Sequence, residues 1–236
     1  ITLPTGIDKE GRDRTAVCCL SSLNLEKYDE WKDDPDMIGD VMRFLDNVLS
    51  DFINKAPDQF KDAKYSAERE RSVGLGVMGF HSFLQKHRIP LESVMAKSWN
   101  KKIFKQIDEQ VNQASKDLAE ERGACPDAAE YGYKERFSNK TAIAPTASIS
   151  IICGGASPGV EPIAANSYTH KTLSGSFNVR NRYLEEILDN HGKNDDETWS
   201  SITTNQGSVS HLDFLTDLEK DVFKTAFELN QKWIIE

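Results

Sequence analysis

Thr15-Ala16-Val17-Cys18-Cys19-Leu20 is a short apolar run rich in strand-compatible residues, and it follows a turn-like stretch from Gly6 to Arg14. A run of this kind predicts a buried strand. Beyond it the period changes. Ile38, Val41, Met42, Leu45, Val48, Leu49 and Phe52 recur at the spacing of one helix face, which predicts an amphipathic helix from about 36 to 54, ended near Pro57. Further helical patterns run from about Ala63 to His87 and from about Val94 to Arg122. In the second of these Trp99, Ile103, Ile107, Val111, Ala114 and Leu118 make one stripe, and Gly123 and Pro126 supply stop signals. Thr141-Ala142-Ile143-Ala144 predicts a second buried strand, running into Pro145 and the small-residue segment Thr146-Ala147-Ser148-Ile149-Ser150. Helices are expected near 179 to 191 and from 217 to 235, the last opened by a capping box of Thr216 and Glu219. Strands separated by long helical stretches favour an α/β fold class with a mainly parallel sheet over a helical bundle. Two clear strands cannot close a sheet, so segments outside this sequence are expected to complete it.

Composition narrows the function classes. Hydrophobic residues make up 38% of the 236 and charged residues 28%, as in a soluble globular protein. No apolar run approaches the ~18 to 20 residues that span a bilayer, and Ile1-Thr2-Leu3-Pro4 carries no targeting signal, so no membrane partner is expected. A net charge of -9 argues against direct gripping of nucleic acid. The run Glu68-Arg69-Glu70-Arg71 reads as a solvated helix face. The four cysteines show neither disulfide-scaffold density nor metal-ligand spacing, which points to a reducing cytoplasm and no metal site.

Three places invite a functional reading, each with a plainer alternative. Gly74-Leu75-Gly76-Val77-Met78-Gly79 matches the glycine string of dinucleotide-binding folds. That string needs a strand before it and an acidic residue about 20 positions on. The preceding residues are instead charged and helix-like, and Ala96 occupies the acidic position, so glycines that let a helix pack closely are the better reading. Cys18 and Cys19 would point to opposite faces of a strand, with Cys18 sharing a face with Ala16 and Leu20. Both read as small core residues unless one lies in the exposed or electropositive setting of a reactive thiol. At Pro145 to Ser150, small hydroxyl residues after a buried strand could converge amides and hydroxyls on an anion, or Thr146 or Ser148 could simply cap a helix. Physical reading stops at a phosphate-binding α/β domain.

Taken in order, the segments Ile1 to Thr5, Ala16 to Leu25, Arg71 to Phe80, Glu120 to Pro126 and Pro145 to Ser150 resemble the large subunit of class I ribonucleotide reductases across essentially the whole chain. The resemblance implies a ten-stranded α/β barrel of two half-barrels, of which residues 1–236 would be a single incomplete domain, most of the second half. The radical-bearing cysteine of the family's Asn-x-Cys-x-Glu motif is expected to precede this sequence, so the chain is not expected to catalyse alone. By matching position, Cys18 resembles the cysteine that, with a partner elsewhere, reduces the ribose, and Cys19 would be structural. Leu20 would line the ribose pocket. Pro145, Thr146, Ala147, Ser148 and Ile149 resemble the loop that binds the substrate diphosphate. The implied partners are a nucleoside diphosphate, the rest of the large subunit, a small subunit carrying a dinuclear metal centre and tyrosyl radical, and thioredoxin or glutaredoxin. ATP and deoxynucleotide effectors would bind elsewhere. A cobalamin-dependent reductase and a non-catalytic phosphate-binding domain of the same fold are the alternatives.

Overall fold

The computed structural model describes residues 3–173 and 175–235. Ile1 and Thr2, which open the first of the resembling segments, lie outside the described residues. In chain order the elements are strands β1 (Gly6–Ile7), β2 (Asp13–Arg14) and β3 (Leu20–Asn24); helices α1 (Tyr28–Trp31), α2 (Met37–Lys55) and α3 (Lys61–Glu70); strand β4 (Gly74–Met78); and helices α4 (Phe80–Lys86), α5 (Val94–Arg122), α6 (Pro126–Glu130) and α7 (Ile149–Ile152). Strands β5 (Ser167–Thr172) and β6 (Gly175–Arg180) follow, then helices α8 (Arg182–Asn190), α9 (Asp196–Thr204), α10 (Asp217–Val222) and α11 (Lys232–Ile235). Packing divides the chain into two compact units. One holds the residues up to Leu23, Lys27–Val77 and Lys101–Thr146, and the other holds Asn24–Glu26, Met78–Asn100 and the chain from Ala147 on.

In the first unit the long helices follow their sequence period. α2 buries Ile38, Met42, Leu45 and Leu49, and the part of α5 in this unit buries Ile103, Ile107, Val111 and Leu118. β3 pairs with β4, and the Gly74 N–H donates to the Cys19 carbonyl at 2.9 Å. On the other side of β4, Leu75 forms a parallel bridge with Thr141. Its N–H donates to the Lys140 carbonyl at 2.9 Å, and its own carbonyl accepts from the Ala142 N–H at 3.2 Å. β4 is thus the central strand of an α/β sheet, with all five of its residues buried. The antiparallel pairs β1/β2 and β5/β6 are separate hairpins outside it.

The structure corrects several expectations here. The helical pattern from Ala63 to His87 is α3, then β4, then α4, because the backbone at Gly74–Met78 pairs on both sides instead of coiling. The strand expected at Thr15–Leu20 begins only at Leu20; residues 15 to 19 have no regular structure and most of them are exposed. Thr141–Ala144 contributes a single bridge, and Ile143 is exposed. The charge run is no solvated face. Glu70 and Arg71 are buried, Glu70 accepts from the Ser72 hydroxyl at 2.8 Å, and Arg69 pairs with Asp127 at 2.8 Å; only Glu68 is open to solvent.

Arg71 ends α3 in the left-handed region, φ 42°, and reaches a fully buried acid on α2. That acid, Asp46, takes hydrogen bonds from Arg71 at 2.8 Å, Arg122 at 2.8 Å and Arg136 at 2.9 Å. Arg136 also donates to the carbonyls of Arg122 and Gly123, the open C-terminal end of α5. Burial alone would raise the Asp46 carboxyl, but the hydrogen bonds from Arg136 and Arg122 and the charge of Arg71 outweigh it and hold Asp46 below the usual carboxylate range.

The second unit has its own core, with Leu184, Leu188, Trp199, Ile202, Val209 and Phe223 at its centre. Helices α8, α9 and α10 start at side-chain caps: Asn181 accepts from Tyr183, Asp195 accepts from Thr198, and Thr216 with Glu219 forms the expected capping box. The helix expected over 217–235 is interrupted after Val222. There Glu228 accepts from both the N–H and the hydroxyl of Thr225 at 2.8 Å and folds the backbone into turns. The helix expected near 179 begins at Arg182, because residues 175 to 180 pair with β5 from Thr172↔Gly175 to Ser167↔Arg180. His81 on α4 is entirely buried and its Nδ1 accepts from the Ile163 N–H at 3.1 Å; burial pulls its pKa down to about 4. No helix among the described residues is long and apolar enough to cross a membrane.

Candidate functional site

The expected site residues fall into both units. In the first, Cys18 is exposed and Cys19 buried, so the two thiols have opposite surroundings although only Leu20 onward is a strand. Cys19 Sγ lies 3.9 Å from the Leu45 carbonyl of α2, and burial raises its pKa, the mark of an inert structural thiol. Leu20 is exposed, as is Cys18.

The glycine string explains how Leu20 is held. A Cβ on Gly74 would come within 2.4 Å of the Leu20 side chain and 2.8 Å of Ala142 Cβ, and one on Gly76 within 2.0 Å of the Ala142 carbonyl oxygen. These glycines are spaces that let neighbouring backbones approach on either side of β4. Gly79, at φ 79°, turns the chain from β4 into α4, and a Cβ there would meet Asn24 Oδ1 at 2.8 Å. The string forms a strand where a dinucleotide loop would follow one.

Thr146 ends the first unit and Ala147 begins the second. Thr146 is buried at φ 52°, a strained backbone for a β-branched residue, which persists only where its surroundings fix it. Pro145, Ala147, Ser148 and Ile149 are exposed. Ser148 occupies the N-cap position of α7, yet its side chain makes no capping hydrogen bond, so the plain capping reading does not hold for it. Amides in a first helical turn have no intrahelical acceptor, so those at the start of α7 need partners from outside the helix.

The contacts that fix the chain beyond α7 were not legible in the sequence. Ser82 and Ser157 exchange backbone-to-hydroxyl bonds, Ser82 N–H to Ser157 Oγ at 3.1 Å and Ser157 N–H to Ser82 Oγ at 2.8 Å, while the Gly79 N–H donates to the Ser157 carbonyl at 2.7 Å. Lone serines in apolar surroundings give no sequence signal of such pairing.

Elsewhere in the first unit a cleft of about 640 Å³ is lined by Arg14, Arg69, Asp127, Tyr131 and Tyr133 among others, and by none of the expected site residues. Its charges satisfy one another: Arg14 holds Asp127 through two bonds of 2.6 and 2.9 Å, and Lys140 pairs with Glu135 at 3.2 Å. Among the described residues no group of three or more His, Cys, Asp or Glu is placed to hold a metal ion.

Comparison with known proteins gives these features a family. The family model described as the ribonucleotide reductase barrel domain matches residues 7–137 and 127–236. A ribonucleoside-diphosphate reductase large subunit of Invertebrate iridescent virus 6 is 52% identical over 227 residues, covering 94% of this chain and 24% of the relative. The large subunit of Invertebrate iridescent virus 3 is 46% identical over 236 residues, covering 98% of this chain and 36% of the relative. Among solved structures, the Actinobacillus ureae class Id ribonucleotide reductase alpha subunit superposes with a TM-score of 0.86 at 41% identity, over 94% of this chain and 41% of that one. The chain thus spans well under half the length of these relatives. With the family model matched along nearly all of its length and the fold reproduced, the chain belongs to the ribonucleotide reductase barrel-domain family.

Proposed function

We propose that this chain is the part of a class I ribonucleoside-diphosphate reductase large subunit that supplies one reducing thiol and the substrate-phosphate loop, as the second half of a barrel completed by segments outside this sequence. In this reading Cys18 and a partner cysteine elsewhere in the large subunit reduce the ribose. Their two thiols close to a disulfide and give up two electrons and two protons, the C2′–O bond breaks, and the hydroxyl leaves as water. A dithiol of thioredoxin or glutaredoxin type then reopens the disulfide. Pro145, Thr146, Ala147, Ser148 and Ile149 hold the diphosphate, with the Thr146 and Ser148 hydroxyls and nearby amides as donors, and Leu20 borders the ribose. Holding the nucleotide still is the loop's contribution to rate. The thiyl radical arises in another segment, driven by a small subunit with a dinuclear metal centre and tyrosyl radical. ATP and deoxynucleotide effectors bind outside this chain, and the enzyme works in the cytoplasm.

The observation that carries this reading is the contrast between an exposed Cys18 and a buried Cys19 whose thiol is raised by burial. The test uses the complete large subunit with its small subunit and a dithiol protein as reductant. Cys18→Ser is expected to abolish multiple turnover, and Cys19→Ser to leave substantial activity. The reverse pattern would show that the wrong thiol has been chosen.

A further inference from the structure

Behind the phosphate loop, α7 has only four residues and ends in consecutive left-handed glycines, Gly154 at φ 90° and Gly155 at φ 77°. A single turn of helix closed by glycines does not fix its own orientation, since glycine tolerates many backbone angles. One side chain from a distant part of the same unit grips it there. Arg182, the first residue of α8, donates through Nη2 to the Gly154 carbonyl. A Cβ on Gly155 would meet nothing closer than that same nitrogen, at 3.5 Å. The guanidinium is held in turn. Its Nη1 lies 3.2 Å from Glu26 Oε1, and the same oxygen accepts the Tyr183 hydroxyl. Glu26 is buried, its N–H donates to Asn24 Oδ1 at 3.0 Å, and Lys86 Nζ donates to its carbonyl at 3.3 Å. The arrangement is a rigid post, Glu26, a planar fork, Arg182, and a carbonyl at the far end of the loop helix.

We infer that Arg182, anchored by Glu26, is a positioning residue that fixes the direction of the Ala147–Ile149 donors by holding the C-terminal end of α7. This rests on the reading of that loop as the diphosphate cradle. In this role Arg182 acts through α7 and not on the substrate directly. Its loss therefore affects how well phosphate is bound while leaving the chemical step intact. A planar fork suits the task because one guanidinium bridges two fixed acceptors at once.

The experiment measures equilibrium binding of a nucleoside diphosphate and of the matching nucleoside, together with KM and kcat, in the complete large subunit with its small subunit. Arg182→Ala and Glu26→Gln are compared with wild type. The expected result is a loss of roughly tenfold in diphosphate affinity and a matching rise in KM, with nucleoside affinity unchanged and saturated kcat within about twofold. The Arg182 side chain is 47% exposed but Glu26 beside it is buried, so some fall in melting temperature is expected for Arg182→Ala and binding is measured well below it. Should Arg182→Ala fail to fold, Arg182→Gln carries the same test. Unchanged diphosphate affinity, or equal losses for nucleoside and diphosphate, overturns the role. Ser148→Ala separates the two readings. A loss there with none for Arg182→Ala removes the positioning role alone, and no loss for Ser148→Ala removes the phosphate-loop reading and this inference with it.

Discussion

A carboxylate with no exposed surface and three guanidiniums around it sets a clear expectation at Asp46. Removing one partner of a buried ion group strands the others, at a cost of about 3–5 kcal/mol. Asp46→Asn keeps the side-chain shape, and urea unfolding is expected to register a loss of that size. The sign with pH follows from the depressed carboxyl. Its contribution is fully present above the unfolded value of about 4 and is lost as pH falls through the lower folded value, so the variant's acid unfolding should be shallower than wild type. The sequence hid this group. Arg71 stood in an alternating run of acids and bases, and pattern alone cannot tell a salt-laced surface from one arginine turned inward by a left-handed cap. Cys18 and Cys19 were more legible, since adjacent side chains in extended chain must part company, whichever residue the strand starts on.

At the scale of elements, legibility tracked how one-sided the burial is. α2 and α5 were readable to within two residues because each buries a single stripe. β4 was not, since a strand covered on both faces has no alternation, and Gly-Leu-Gly-Val-Met placed after a helix reads as its continuation. The β5/β6 hairpin was missed for another reason: β6 alternates Gly175, Phe177 and Val179 with Ser176, Asn178 and Arg180 but is almost wholly exposed, while in β5 Ser167, Thr169 and Lys171 on one face and His170 on the other leave no period. The glycines offer a direct check of the close strand approach. Gly76→Ala places a Cβ 2.0 Å from a backbone oxygen and is expected to cost at least the ~1–3 kcal/mol of an overpacked core. Gly39→Ala on α2 meets nothing within 4 Å and should stabilise by about 0.5–1 kcal/mol. Chemical denaturation of both variants makes the comparison, and equal effects would contradict the packing described for β4.

For the whole molecule, two units with separate cores imply two separate responses to acid. In the second unit His81 is neutral when folded, with its pKa pulled by burial from 6.5 to about 4. Because the folded value is the lower one, the unfolded chain takes up the proton first. Stability is complete above about pH 6.5 and declines as pH falls toward 4. His81→Asn retains an acceptor for the Ile163 N–H and should remove that decline from a plot of unfolding free energy against pH, while the Asp46-dependent loss below it persists. A decline unchanged in the variant would place the titrating group elsewhere. The family was legible from ordered segments, and the α/β class from strands among long helices. The Ser82–Ser157 pair and the Arg182 contact with Gly154 were not, because each joins residues that meet only through tertiary packing.

The partners of Asp46 lie 25, 76 and 90 residues along the chain. Closing contacts over such spans costs chain entropy before any bond is won, so the cluster forms only when the segments between are already ordered. Interactions completed after the folding barrier govern how slowly a protein comes apart rather than how fast it assembles. In kinetic terms the buried acid is expected to act as a latch: Asp46→Asn should leave the folding rate near wild type and speed unfolding.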